Sequence, residues 1–448
     1  MERTNHKLMT DGIIWKEILL FSIPLLLGNL FQQLYNTVDS IVVGNYIGSH
    51  ALAAVGASNP IINLLVGFFM GISTGAGVLI SRYFGAKNQE DLTKSVQTSI
   101  IVTTLSGIVL TFIGILFTPL ILKWVGTPED VMADSILYLQ IYFAGILSVM
   151  LYNMGSGILR AVGDSKRPLY FLCISSIINI VLDLYFVISL HMGITGVALA
   201  TLIAQSVSAV LVLYILIRTK ESYRFSLKNL HLDMPILKNI IRLGLPSGIQ
   251  NAIVSFSNVI VQSNINAFGS DAMAGCGSYV KLDGFAIMPI MSFSMAITTF
   301  TGQNMGAEKY DRVKEGAKSC LWLSLGVITS ISLLLFLFGD HVLKIFSQDE
   351  QVLYYGVYML KVLVPGYIFL SITQILAGVI RGAGVAAVPM YIMVGCWCIF
   401  RIIWIVGAMS IYPDIIVVFL GYTLSWILSS IIIFRYYQKG SWLKGNTM

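Results

Sequence analysis

Charge is what this chain has least of. Asp, Glu, Lys and Arg make up 11% of its 448 residues, where soluble domains carry about 25%. With 56% of residues hydrophobic, that shortage excludes a soluble enzyme with a membrane tail and leaves a polytopic membrane protein. Cysteine is sparse as well. Cys173, Cys276, Cys320, Cys396 and Cys398 fall in apolar runs, and the C-x-C at 396–398 has neither a second pair nor a nearby histidine. A metal site or disulfide framework is therefore not expected. His6, His50, His191, His231 and His341 all lie in tails or loops. There is no HExxH, no GxxxxGK[ST] and no G-x-S-x-G, so zinc-protease, nucleotide-hydrolysing and serine-hydrolase chemistry are excluded. No enzymatic activity and no cofactor are expected. The N-terminal MERTNHKLMTDG lacks a signal-peptide pattern, so the first span is expected to serve as its own insertion signal.

Long apolar runs are what the chain does have. Twelve spans read at about 15–43, 52–80, 96–118, 132–158, 168–190, 194–217, 239–267, 273–301, 319–338, 353–380, 388–410 and 415–435, each near the length that crosses a bilayer. The net charge of +6 reads as topology and not as nucleic-acid binding. With the N-terminus inside, 23 of the 28 Lys and Arg fall on one side, and only Lys123 and Lys344 fall in loops on the other. The positive-inside rule then places both termini in the cytoplasm. Lys281, Lys361 and Arg401 fall within spans.

The chain repeats itself. At an offset of 221, Gly48-Ser49 matches Gly269-Ser270, Gly85-Ala86 matches Gly306-Ala307, and Gly157, Arg160, Gly163 and Pro168 match Gly378, Arg381, Gly384 and Pro389. Six spans per repeat means both halves enter the membrane the same way, related by a pseudo-two-fold axis along the membrane normal. The expected architecture is all-α, with a six-helix lobe over 1–217, a cytoplasmic linker over 218–238 and a second six-helix lobe over 239–448. Two such lobes suit alternating access better than a channel.

Polar residues that one half has and the other lacks are the candidates for chemistry. With the one-residue slip that aligns Pro24, Asn29 and Asn36 with Pro246, Asn251 and Asn258, Asp39 matches Val261; at the offset of 221, Asn179 matches Phe400, Asp183 matches Trp404 and Thr201 matches Tyr422. An ionised carboxylate in hydrocarbon costs several kcal/mol, so intramembrane acids face a bundle interior or a wet cavity. Asn179 and Asp183 are spaced i, i+4 and face the same way, and all four residues fall in the outer half of their spans. Two carboxylates, an amide and a hydroxyl at one level can bind a hard cation or share a proton. Gln32, Tyr35 and Asn36 lie on the Asp39 face of the first helix, and with Met150 and Asn153 they are the expected substrate-cavity residues. Pro24, which removes a backbone hydrogen bond, is the expected bend. In the second half, Asp283 is expected to pair with Arg401 or Lys361 on another helix, and a structural ion pair near the interface is the alternative.

IPLLLGNLFQQLYNTVDS, GVLISRYFGAKNQEDL, ILRAVGDSKRPLY, IINIVLDLYF and GITGVALATLIAQ resemble the multidrug and toxic compound extrusion (MATE) family. So do their second-half counterparts LGLPSGIQN, TGQNMGAEKYDR and VIRGAGVAAVPMY. The resemblance covers nearly the whole chain. In the branch it most resembles, the DNA-damage-inducible F type with archaeal members, the cation site corresponds here to Asp39, Asn179, Asp183 and Thr201. The other bacterial branch binds sodium through acids in the seventh and tenth helices. Here LPSGIQNAIVSFSNVIVQ and GYIFLSITQILAGVIRG contain none, so a second site of that kind is not expected. The resemblance implies a monomeric secondary transporter of a bacterial plasma membrane, exchanging small amphipathic or cationic compounds for H+ or Na+, with the lipid bilayer as its surroundings and no nucleic-acid partner. A flippase for lipid-linked or polar glycan precursors, of the same superfamily, is the alternative. It would favour a strongly cationic cavity, whereas the first-half helices carry carboxylates and no arginine at membrane depth.

Overall fold

A computed structural model describes residues 8–228 and 230–444. Residues 1–7, with Arg3 and Lys7 of the predicted cytoplasmic tail, lie outside the described residues. The described chain is helical throughout. Its helices are α1 (Ile14–Val42), α2 (Ser49–Gly85), α3 (Gln89–Val125), α4 (Glu129–Ala144), α5 (Ile146–Ala161), α6 (Lys166–Leu184), α7 (Gly193–Arg218), α8 (Met234–Asn266), α9 (Ser270–Gly306), α10 (Tyr310–Leu343), α11 (Glu350–Leu363), α12 (Tyr367–Gly382), α13 (Ala387–Met393), α14 (Arg401–Met409), α15 (Ile415–Gln438) and the short α16 (Ser441–Lys444).

These helices account for every expected span. Two spans are broken rods: α4 and α5 meet at Gly145 with a 46° bend, and a 3-10 turn over Val364–Gly366 joins α11 to α12. Ten described helices are long and apolar enough to cross a membrane, and α4 with α5 makes an eleventh. The twelfth expected span is α8, whose 33 residues suffice in length but include Asn251, Asn258, Gln262, Asn264 and Asn266 among the apolar ones. The repeat survives in backbone detail. Gly48 and Gly269 precede α2 and α9 with φ of 119° and 100°, values that a side chain would strain, which explains why both halves keep glycine there.

The chain divides into two compact units, and they are not the two sequence halves. Unit 1 is Leu27–Gly248, and unit 2 is Leu8–Leu26 with the chain from Ile249 onward. The boundaries expected at 217 and 239 are therefore displaced, and the linker is no separate segment. Tyr223 and Phe225 of that linker and Ile236, Ile240 and Leu243 of α8 are buried in the same apolar cluster as Leu79, Val96 and Leu159 of unit 1. Thr93 of α3 donates to the Ser222 carbonyl at 2.8 Å, and Thr98 accepts from the Asp233 N–H at 3.1 Å.

The start of α8 is held by backbone contact. A Cβ built on Gly71 of α2 would lie 2.1 Å from the Gly248 nitrogen, and one on Gly75 would lie 2.2 Å from the Gly244 nitrogen. Facing G-x-x-x-G patterns let two helices touch where any side chain would part them. Unit 2 claims the start of α1 in turn. Met9, Ile18, Phe21 and Leu25 are buried in its core. The Met9 N–H donates to Gln303 at 2.9 Å, Arg312 Nη2 donates to the Asp11 carbonyl at 2.9 Å, and Lys309 pairs with the Asp11 carboxylate at 3.0 Å.

Candidate cation site in unit 1

Three charged side chains, Asp183 and Arg401 buried and Asp39 half-buried, sit at irregularities of the helices. α1 passes into a π turn over Val43–Ile47, four residues beyond Asp39. α6 passes into another over Tyr185–Ser189, two residues beyond Asp183. In unit 2 a third π turn, Val394–Phe400, leads directly into Arg401. Such turns widen a helix and re-aim the side chains beside them, and they concentrate at functional sites. The two π turns of unit 1 pack on one another, which brings the ends of α1 and α6 together.

Asp39, Asn179, Asp183 and Thr201, far apart in the chain, meet there. Asn179 and Asp183 are fully buried and Thr201 nearly so. Thr201 Oγ1 accepts from Tyr35 Oη at 3.4 Å and from Asn179 Nδ2 at 3.5 Å. The Asp39 carboxyl neighbours the Asp183 carboxyl and the Tyr35 phenol without a hydrogen bond to either. Asp39 Oδ1, Asn179 Oδ1 and both Asp183 oxygens are buried and accept no N–H or O–H donor in the described structure. Buried acceptors are ordinarily satisfied, because an unmet one costs about 1–3 kcal/mol and more if charged. Two carboxylates can bond each other only through a shared proton, and otherwise need a cation between them. Chemically, this donor-poor oxygen set can take up a proton or a small hard cation.

The other expected site residues divide. Tyr35 belongs to the cluster, while Gln32 and Asn36 are exposed. Met150 lies elsewhere, buried with Leu122, Leu139, Phe143 and Ile146, and it lines an enclosed pocket of about 40 Å³ with Ser73, Ser99 and Thr103. Drug-sized ligands take about 300–1,000 Å³, so Met150 is a core residue in this structure and not part of an open cavity. Asn153 turns back on its own helix, donating to the Val149 carbonyl at 2.8 Å. α1 runs unbroken through Pro24, and the unit boundary falls at Leu26–Leu27 just beyond it. One neighbour escaped the sequence reading: Tyr138 of α4, buried in one apolar cluster with Val42 and Val43 at the end of α1 and Val187 at the end of α6. The signal was available, since Tyr138 matches Met359 in the repeat and so is another oxygen confined to the first half.

Unit 2 corrects the expected ion pair. Asp283 does not meet Arg401 or Lys361. Its carboxylate accepts from Tyr279 Oη at 3.2 Å and from Tyr367 Oη, and the two phenols lie 2.7 Å apart. Arg401 is 2% exposed. Its guanidinium donates to Ser425 Oγ at 2.8 Å and to Asn258 Oδ1 at 3.4 Å, and lies 4.2 Å from the centre of the Tyr422 ring. Lys281 is exposed and stands over the Phe346 ring.

A helical membrane protein with a repeated lobe and a carboxylate pair at irregular helix ends has the build of a membrane transporter. The profile of the MatE family matches twice, over residues 24–185 and 246–406, one match per repeat, and the chain belongs to that family. It is 32% identical to the probable multidrug resistance protein YoeA of Bacillus subtilis, over 98% of this chain and 97% of that one. It is 25% identical to the probable multidrug resistance protein NorM of Thermotoga maritima, over 85% and 82% of the two chains. Among solved structures it superposes, with a TM-score of 0.92 over the whole of both chains at 23% identity, on an outward-facing multidrug resistance MATE family transporter of the MOP superfamily. A second likeness, at TM-score 0.90 and 24% identity over both whole chains, is to a MOP superfamily transporter from Pyrococcus furiosus.

Proposed function

We propose that this protein exports amphipathic or cationic compounds by alternating access, driven by H+ or Na+ bound at Asp39, Asn179, Asp183 and Thr201. The relatives' names speak for multidrug export. The observation that carries the coupling is the set of buried oxygens on α1 and α6 that no protein donor satisfies. Uptake of one positive charge meets the unmet acceptors and removes the repulsion between the carboxyls, so the ion has a differential free energy to spend on shape. α1 is the natural element to respond, because it carries Asp39 and Tyr35 in unit 1 while its first turns pack in the core of unit 2. The presence of all four site positions also supports a place in the DNA-damage-inducible F type branch. The basic-residue distribution supports cytoplasmic termini in a bacterial plasma membrane, and nothing in the reading requires more than a monomer. The test is transport in proteoliposomes with proton and sodium gradients imposed separately. Export of a cationic dye under either gradient, lost when both are collapsed, supports the reading. Transport indifferent to both gradients sinks it.

A further inference from the structure

We infer that unit 2 carries a binding groove for the headgroup of an anionic membrane phospholipid, built between the end of α10 and the outward face of α11. The groove has a volume of about 340 Å³ and is lined by Asp340 and Lys344 on one side and by Leu353, Tyr354, Tyr358 and Lys361 on the other. With Val357, which also lines the groove, spacings of three and four link Leu353, Val357 and Lys361, and Tyr354, Tyr358 and Lys361, on one broad face of the helix.

The lysines are the anomaly. Lys361 is the twelfth residue of α11, counted from Glu350, which puts its backbone ~16 Å along the helix at ~1.5 Å per residue. An exposed ammonium that far into a membrane helix is costly unless it faces polar surroundings. Neither Lys344 nor Lys361 makes an ion pair or a side-chain hydrogen bond among the described residues. The repeat supplies an internal control. Lys361 matches Gln140, which is satisfied within unit 1 by donating to the Ile115 carbonyl at 3.2 Å. The second lobe has thus replaced a satisfied amide by an unpaired cation that opens on a cavity.

Charge and shape select the occupant. Two ammonium groups against one carboxylate leave a net positive charge, which matches a phosphodiester, and Asp340 is placed to accept from a headgroup hydroxyl. Tyr354 and Tyr358 offer amphipathic walls of the kind found at headgroup level. Leu337 and Leu333, three and seven residues before Asp340 on the same face of α10, are exposed, an apolar surface along which acyl chains would run. A free phosphate has no use for that surface, so the occupant is a lipid.

The test titrates the purified full-length protein with phosphatidylglycerol, phosphatidylcholine and phosphatidylethanolamine of the same chain length, and separately with glycerol phosphate, reading bound lipid by native mass spectrometry. Phosphatidylglycerol should bind in preference to the two zwitterionic lipids. A basic residue near an anionic surface contributes enough for about a fivefold change, so Lys344→Gln and Lys361→Gln should each weaken binding about fivefold and the pair about 25-fold. Lys361→Arg should keep most of the affinity, and Lys123→Gln at the repeat-equivalent position should change nothing. Equal binding of phosphatidylcholine, or unchanged affinity in the double variant, would overturn the site. Glycerol phosphate competing as strongly as the lipid would overturn the lipid as occupant. Should Lys361→Gln fail to fold, Lys344→Gln and Lys361→Arg still decide the matter.

Discussion

The two units start from one repeat and end with opposite polarity. Unit 1 holds two facing carboxylates and no buried cation beside them. At the repeat-equivalent places unit 2 holds Val261, buried in its core, Trp404, whose indole donates to the Val417 carbonyl at 3.0 Å, and Tyr422, which lies under a guanidinium. Arg401 itself takes the place of Ile180. A desolvated fixed cation repels any ion that a carboxylate pair would attract. Unit 2 does own a half-buried acid, but Asp283 is already met by two phenols. The lesson is that a duplicated scaffold needs only a handful of substitutions to place a carboxylate pair in one lobe and a buried cation in the other, because the scaffold glycines and prolines carry no charge.

The sharpest way to break this contrast is at the carboxylates. Asp39→Asn and Asp183→Asn should each abolish gradient-driven export, a loss of about 100-fold or more, and the double variant should be no worse, as for residues that act as a unit. Val261→Asp should not rescue Asp39→Asn, because Phe400, Trp404 and Tyr422 offer it no matching oxygen set. Rescue in a proteoliposome assay would show that the lobes are interchangeable. Gradient-driven export surviving in Asp183→Asn but not in Asp39→Asn would reduce Asp183 to a structural role.

The next effect separates the helix contacts. Gly75→Ala drives a Cβ into the α8 backbone and should cost about 3 kcal/mol or more. Ala296→Gly, at the matching position of unit 2, should cost only about 1 kcal/mol of helix propensity. Thermal unfolding of the two variants in detergent reads the difference, and equal shifts would mean that the facing glycines are not what holds α8 in unit 1.

A smaller change probes the acid of unit 2. Tyr367→Phe removes a phenol donor from Asp283 and should destabilise by about 1.5–3 kcal/mol while leaving ion coupling in place. If the variant folds normally yet loses its gradient dependence, Asp283 of unit 2 takes part in coupling.

The smallest effect lies at the contact between Asp11 and Lys309. Lys309 beside Asp11 holds that carboxyl below its ordinary value of 3.8. A depressed carboxyl contributes stability above its unfolded-state value and loses it as pH falls through the folded one, so the Asp11–Lys309 contact should be intact at neutral pH and fail only below pH 3.8. Asp11→Asn should therefore change unfolding little at pH 7, since exposed pairs contribute little, and not at all in strong acid. A larger shift in acid than at pH 7 would reverse the sign of this argument.

Much of this was settled by the sequence alone. Scarce charge and twelve apolar runs demand helices in a membrane, because only intrahelical bonding satisfies a backbone in hydrocarbon. The repeat demanded two similar lobes, and its mismatches isolated Asp39, Asn179, Asp183 and Thr201 before any coordinates. Tertiary structure decided what depends on neighbours distant in the chain. It showed that α1 and α8 each begin in the other lobe's unit, because facing glycines and buried Ile18, Phe21, Ile236 and Ile240 outweigh chain order. It gave Asp283 two tyrosines in place of an arginine, and it put Met150 into a core. Helical period fixes which way a side chain points from its own axis, but the partner it meets is set by how helices cross, and a single sequence does not encode crossings in any local pattern.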